Sequence, residues 1–193
     1  MAKVMISTIF KGEAAPGAIY KLSPDKLILL VDNPEAEERT KAVKKIKETF
    51  QEFIKNITTA QVDEFDVPKI TAAILNLIQK EKGNDVFLHL TEGRKTMFLG
   101  GLYAASLSRC KAFYLREDNN ELYQLPTIDL SLNETKQRIL KELDQGNAKM
   151  QSIAAKISCH RSLVYNNIKE LTMKGYLKEN NTLTDLGKIS ILK

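Results

Sequence analysis

Apolar positions along this chain fall into two rhythms, with a change near residue 130. In the first part, short continuous apolar runs alternate with stretches of three- and four-residue spacing, the signatures of buried strands and amphipathic helices. Residues 3–9 (KVMISTI) predict a strand, followed by a glycine-bearing loop and a short helix near 15–22. KLILLVD (26–32) is an unbroken apolar run, as expected of a strand covered on both faces. Asn33 and Pro34 then predict a helix start, the first as cap and the second in the first turn. Val43, Ile46, Phe50, Phe53 and Ile57 would form its inward stripe, with lysines and glutamates opposite.

ITTAQVDEF (57–65) predicts a third strand, VPKITAAILNLIQKEKG (67–83) a helix ended by glycine, and DVFLHL (85–90) a fourth strand. In the helix that follows, Gly100 and Gly101, with Ala104, Ala105 and Ser106, suit close helix–sheet packing. KAFYLR (111–116) and ELYQLP (121–126) flank Asp118-Asn119-Asn120 as a closing hairpin. Such alternation implies an α/β, Rossmann-like, mainly parallel sheet with helices on both faces. Ligands of such sheets sit beyond the carboxyl ends of the strands, where strand order reverses. In an order 3-2-1-4-5 the reversal lies between strands one and four, which lead into STIFKG (7–12) and LTEGRKT (90–96).

The second rhythm is mainly helical. Pro126 and a short extended stretch lead to Asn133, a cap for a helix carrying Ile139, Leu140 and Leu143, with a turn at Gly146 and Asn147. MQSIAAKI (150–157) predicts a short helix, and RSLVYNNIKELTMKGYL (161–177) a longer one with Val164, Ile168 and Leu171 inward and Gly175 as its stop. A small hairpin turning at Asn180-Asn181 and a last helix starting at Thr184 complete the order of a winged helix–turn–helix. Burying Val164, Ile168 and Leu171 leaves Arg161, Ser162, Tyr165, Asn166 and Lys169 on one outward face, residue types that read base edges or hold phosphates in a major groove. Lys178 on the wing and Lys156 on the short helix would touch the DNA backbone, with His160 at the turn between them. A winged helix used for dimerisation or protein contact is the other use of this order.

Charge sharpens the division. Residues 1–130 carry 18 Lys+Arg and 18 Asp+Glu, whereas residues 131–193 carry 11 and 6, so the net charge of +5 lies wholly in the last third. That asymmetry suggests a module facing a polyanion. No apolar run reaches the roughly 18–20 residues of a bilayer span, and MAKVMISTIF reads as a first strand, not a signal, so no membrane association and a cytoplasmic location are expected. Cys110 and Cys159 lack metal-like spacing, and with only His89 and His160 beside them no zinc set and no resident cofactor are expected, although carboxylates could still hold magnesium.

Arg94 and Lys95 are conspicuous because cations are disfavoured at the positive end of a helix dipole. One reading is an anion site in which Gly93 permits close backbone approach and Thr8, Lys11 and Gly12 form the opposite wall. The other is a helix start capped by Thr91 or Glu92 with solvated cations. Neither the Walker P-loop spacing nor Gly-x-Gly-x-x-Gly is present, which disfavours an ordinary nucleotide enzyme.

HLTEGRKT (89–96) is similar to the Asn-x-Thr-Gly-Gly-Thr/Arg-Lys type of motif that follows strand four in CARF domains, the Rossmann-like sensors associated with CRISPR systems. LVYNNIKELTMKGYLKENNTLTDLGK (163–188) resembles the recognition helix, wing and following helix of MarR-like winged helices. Together they resemble archaeal CRISPR-associated CARF–winged-helix transcription regulators, with a sensor at 1–128 and a DNA-binding domain at 129–193. The resemblance implies a non-enzymatic antiviral-defence regulator: a homodimer that binds double-stranded DNA and is modulated by a cyclic oligoadenylate, typically tetra-adenylate. It places Thr8, Ile9 and Phe10, with Lys11 beside them, in one ligand loop, and Thr91, Glu92, Gly93, Arg94, Lys95 and Thr96 in the other. Two positions depart from the motif: Glu92 stands where the family has its first glycine, and His89 where Asn or Asp is common. A carboxylate at 92 repels phosphate unless it points away or pairs with Arg94. Slow cleavage of the cyclic ligand, with Lys95, Thr8 or Lys11 stabilising charge, is an alternative activity; a regulator whose pocket is vestigial or takes another anion is a third.

Overall fold

Alternate residues of each central strand feed two different cores, and that alternation organises the first half of the chain. The computed structural model describes residues 1–32, 35–116 and 118–192. It divides into two units, Met1–Asp129 and Leu130–Lys193.

In the first unit, β1 (Lys3–Thr8), β2 (Lys26–Val31), β3 (Asn56–Gln61), β4 (Asp85–His89), β5 (Lys111–Leu115) and β6 (Leu122–Gln124) form one sheet in the order β3-β2-β1-β4-β5-β6. The first five are parallel, and β6 closes the edge antiparallel to β5. Four helices cross between strands: α1 (Ala15–Leu22), α2 (Glu37–Phe50), α3 (Val67–Lys80) and α4 (Lys95–Ser108). Met5, Leu27, Leu29 and Phe87 bury with Ala18, Ile19, Ile46 and Phe50 of α1 and α2. Val4, Ile6, Ile28 and Leu88 bury with Ile70, Ile74, Met97 and Ala104 of α3 and α4. A strand with both faces covered must be apolar along its covered length, and Leu27–Val31 are, with only Lys26 at the strand's start polar and partly exposed.

The reversal of strand order falls between β1 and β4, as anticipated. Gly100 and Gly101 serve two neighbours, not one. A Cβ on Gly100 would stand 2.5 Å from Ile70 of α3, and one on Gly101 would stand 2.5 Å from Leu90 at the end of the β4 segment.

Several boundaries differ from the sequence expectation. The caps at Asn33 and Pro34 lie outside the described residues, and the helix runs from Glu37 with Ala36 before it. Its buried stripe is Arg39, Ala42, Ile46 and Phe50. Phe53 is 81% exposed and Ile57 belongs to β3, because the chain turns on Phe50 O, which accepts from Phe53 N and Ile54 N. β3 ends at Gln61 rather than 65, because the Asp63 carboxylate accepts from Phe65 N and Asp66 N and turns the chain into α3, which Asp66 caps.

The second unit holds α5 (Glu134–Asp144), α6 (Met150–Lys156), α7 (Arg161–Met173) and α8 (Asp185–Ser190). Asn133 caps α5 through Lys136 N, and Thr184 caps α8 through Gly187 N. Ile139, Leu140, Ile153, Val164, Ile168 and Leu171 share one core with Tyr176, Leu177 and Leu183. α7 stops at Met173, short of 177, and Gly175 takes φ +78° just beyond it. Between α7 and α8 the chain doubles back through a single antiparallel bridge, Leu177 to Leu183, around Asn181 at φ +63°.

Candidate functional site

The crevice loops come together, and Glu92 is what joins them. Its carboxylate Oε2 accepts from Phe10 N at 3.0 Å, Lys11 N at 2.9 Å and Gly12 N at 2.6 Å. Oε1 accepts from Ala14 N at 2.6 Å. The β4–α4 loop is tied a second time, by the Thr8 hydroxyl donating to Glu92 O. Gly93 sits at φ +91°, a conformation that favours glycine, and a Cβ there would stand 3.1 Å from Met97 Sδ and 3.2 Å from Thr8 Cβ, a tight fit.

Arg94 does not pair with Glu92. It turns to the end of β2, where Nε donates to Asp32 Oδ2 at 2.5 Å, and its NH2 reaches Glu64 at 3.4 Å. Its guanidinium lies 5.0 Å from the centre of the Phe65 ring. Asp32, 2% exposed, also accepts from Arg39 at 3.0 and 3.2 Å, and Arg39 in turn stacks on Phe10 at 3.8 Å. One buried carboxylate thus holds two arginines. The cleft beside it, about 530 Å³, is lined by Asp32, Glu35, Asp63 and Glu64 together with Gln61, Val62 and Phe65, a surface unsuited to phosphate.

His89 is wholly buried between Ser7 Oγ at 2.8 Å and Thr91 Oγ1 at 2.7 Å. Thr91 also accepts from Leu115 N, so the imidazole and its two hydroxyls bind β1, β4 and β5 together. Burial pulls the imidazole down to about 4, with the Glu92 charge opposing, and it stays neutral near pH 7.

Of the ten residues expected to line the crevice, the structure therefore turns several inward. Ile9 is in the α1–α2 core, Thr8 and Thr91 have their hydroxyls engaged, and Thr96 Oγ1 donates to Glu64 O at 2.7 Å. Phe10 is half-buried under Arg39. Lys11 and Lys95 remain exposed, and α4 begins at Lys95 without a side-chain cap. Neither Thr91 nor Glu92 caps it.

The second unit presents a different surface. Arg161, Ser162, Tyr165, Asn166 and Lys169 are all exposed on α7, while Val164, Ile168 and Leu171 are buried. Among the described residues, Arg161 and Lys169 make no side-chain ion pair, and Lys178 is likewise exposed. Lys156 is exposed but pairs with Glu142 at 2.8 Å. His160 occupies the position before α7 with no capping bond from its ring. Lys149, Gln151, Ser152 and Arg161 rim a shallow concavity between the starts of α6 and α7.

A family model described as HFX_2341_N:-like, N-terminal matches residues 14–120, more than half of the chain. The chain belongs to this family. No curated protein matches the sequence. Among solved structures, Csm6 from Enterococcus italicus, bound to cyclic hexa-2'-fluoro-hexa-dAMP, aligns with a TM-score of 0.57 at 12% identity, over 92% of this chain and 56% of its own. VC1899 from Vibrio cholerae aligns at 0.52 and 12%, over 98% of this chain and 64% of its own. Can2 from Sulfobacillus thermosulfidooxidans, in complex with cyclic tetra-adenylate, aligns at 0.49 and 18%, over 98% and 63%. The chain spans less than two thirds of the length of each, and at such identities the likeness to Csm6 and VC1899 is one of fold. For this member of the HFX_2341_N:-like family, that fold is a Rossmann-like, mostly parallel sheet flanked by helices. No helix among the described residues is long and apolar enough to cross a membrane.

Two residues that organise the crevice escaped the sequence reading. Asp32 and Glu64 decide where Arg94 points. The signal for Asp32 was present, a carboxylate closing the apolar run KLILLVD, which needs a cation if it stays buried.

Proposed function

We propose that this chain is a transcription regulator that binds double-stranded DNA as a homodimer through a winged helix–turn–helix, and that its first unit is a CARF-type sensor of a cyclic oligoadenylate in CRISPR-linked defence. The carrying observation is the face of α7: five polar residues suited to base and phosphate contact stand exposed together, in the part of the chain that holds the whole net charge of +5. A roughly 12 Å wide major groove admits such a helix, and in our reading Arg161 pairs with guanine and Asn166 with adenine. The cyclic hexanucleotide in Csm6 supports the ligand class, through a fold shared at a TM-score of 0.57. In this chain the groups left to meet a phosphodiester are the uncapped start of α4 and the exposed Lys11 and Lys95.

Ligand regulates DNA affinity only by binding one dimer state better than another. A shift assay on the promoter of the chain's own gene, with cyclic tetra- and hexa-adenylate, tests both halves. Arg161→Ala is expected to weaken specific binding by roughly 1–3 kcal/mol, about 5- to 150-fold, while sparing binding to random DNA. Saturating cyclic oligoadenylate without change in affinity would reject the sensor, and no retarded band at all would reject the regulator.

A further inference from the structure

Three successive backbone N–H groups, Phe10, Lys11 and Gly12, converge on one oxygen, and the next bond in the loop, from Ala14 N, goes to its twin. Gly12 at φ +75° lets the third N–H swing into line with the others. Concavities of this kind bind oxyanions in many proteins. We propose that the β1–α1 loop is an oxyanion-binding nest which the chain fills with its own Glu92, so that Glu92 is the specificity-determining residue of the crevice and shuts external phosphate out of this subsite.

An ordinary helix cap does not account for the geometry. A cap serves the first N–H groups of the helix itself, whereas three of these four bonds come from loop positions ahead of α1 and the fourth from Ala14, the residue before it. Bonds to an ionised acceptor are about twice as strong as neutral ones. The carboxylate is also tethered, held in place by Thr8 through Glu92 O, so a free anion competes against a high effective concentration. A phosphodiester entering the crevice is left with the α4 side alone. The inference concerns the loop itself and holds whether or not the sensor reading does.

The test uses the full chain and simple anions. Glu92→Ala is expected to lower the melting temperature of the first unit by at least about 5 °C, because four N–H groups lose a charged acceptor and water reaches only part of them. Acetate or inorganic phosphate should restore most of that loss, relative to chloride at equal ionic strength and to the wild type in the same salts. Rescue by acetate alone marks a carboxylate-shaped nest, and rescue by phosphate as well a general oxyanion nest; both support the proposal. An unchanged melting temperature, or a loss that neither anion relieves more than chloride, overturns it. Should the variant fail to fold, the wild type decides: its amide resonances at Phe10, Lys11, Gly12 and Ala14 are expected to stay unmoved on titration with phosphate, and saturable shifts there would show that Glu92 does not hold the nest. None of these measurements involves DNA or a cyclic nucleotide, so they fail or succeed apart from the proposed function.

Discussion

Arg94 and Arg161 both stand at the start of a helix, where the dipole disfavours a cation, and the chain treats them in opposite ways. Arg94 is folded back onto Asp32 and Glu64 and laid against Phe65. Arg161 is exposed, with no ion-pair partner among the described residues. The same holds for the surroundings. In the crevice the backbone nest, the arginines and the hydroxyls are engaged by the chain's own Glu92, Asp32 and His89, while the α7 face leaves its donors open. A basic residue beside a cleft is therefore weak evidence for an anionic ligand until its own carboxylates have been located.

The largest effect should come from Asp32. Asp32→Ala leaves Arg39, which is 8% exposed, without its bidentate partner and releases Arg94. Breaking a buried pair from one side typically costs about 3–5 kcal/mol. Urea unfolding followed by hydrogen exchange should show that loss in Met1–Asp129, with Leu130–Lys193 unaffected; a cost under about 1 kcal/mol would mean that Asp32 does not anchor the crevice.

Acidification should separate the two units next. His89 is held at about 4 when folded, against 6.5 for a free imidazole. Between those values the unfolded chain binds the extra proton, so the contribution of His89 is complete above pH 6.5 and is lost as pH falls towards 4. The upper bound is about 3 kcal/mol, from 1.36 kcal/mol per unit. In the second unit, hydrogen bonds from Lys136 and Lys174 hold Glu170 at about 2, against 4.5, so its contribution is lost only between those lower values. Hydrogen exchange at stepped pH should therefore show Met1–Asp129 loosening from pH 6.5 downward, and His89→Gln should flatten that slope.

How far the sequence could reveal this follows from the range of the interactions. The parallel sheet was legible because unbroken apolar runs separated by helical spacing leave few alternatives; the order itself was assumed, and β1 and β4 do flank the reversal that the assumption required. The stripe on α2 failed past Phe50 because helical spacing in the sequence continues into Phe53 and Ile57 while the backbone has already turned towards β3. The two crevice loops were recognisable, but not their internal wiring. Glu92 binds N–H groups, which every residue except proline offers, so no side chain at 10–14 advertises it. Arg94 is settled by carboxylates 62 and 30 residues away, a pairing that only the folded sheet creates.

The smallest effect is the finest test of the contrast, because it asks whether neutralisation matters within the second unit alone. Lys156 and Lys169 are both exposed and both suited to phosphate contact, but Lys156 is already paired with Glu142 at 2.8 Å while Lys169 is not paired among the described residues. Each phosphate contact contributes about 0.9 to the slope of log K against log salt on duplex DNA. Lys169→Ala should lower that slope by about 1, on specific and random DNA alike. Lys156→Ala should lower it by distinctly less, because its ammonium must leave a carboxylate before it can release a counterion, and the variant Glu142→Gln should raise the contribution of Lys156 towards that of Lys169. Equal slopes for the two alanine variants would show that pairing with a surface carboxylate does not withhold a lysine from DNA, and that only the buried pairing of the crevice does so.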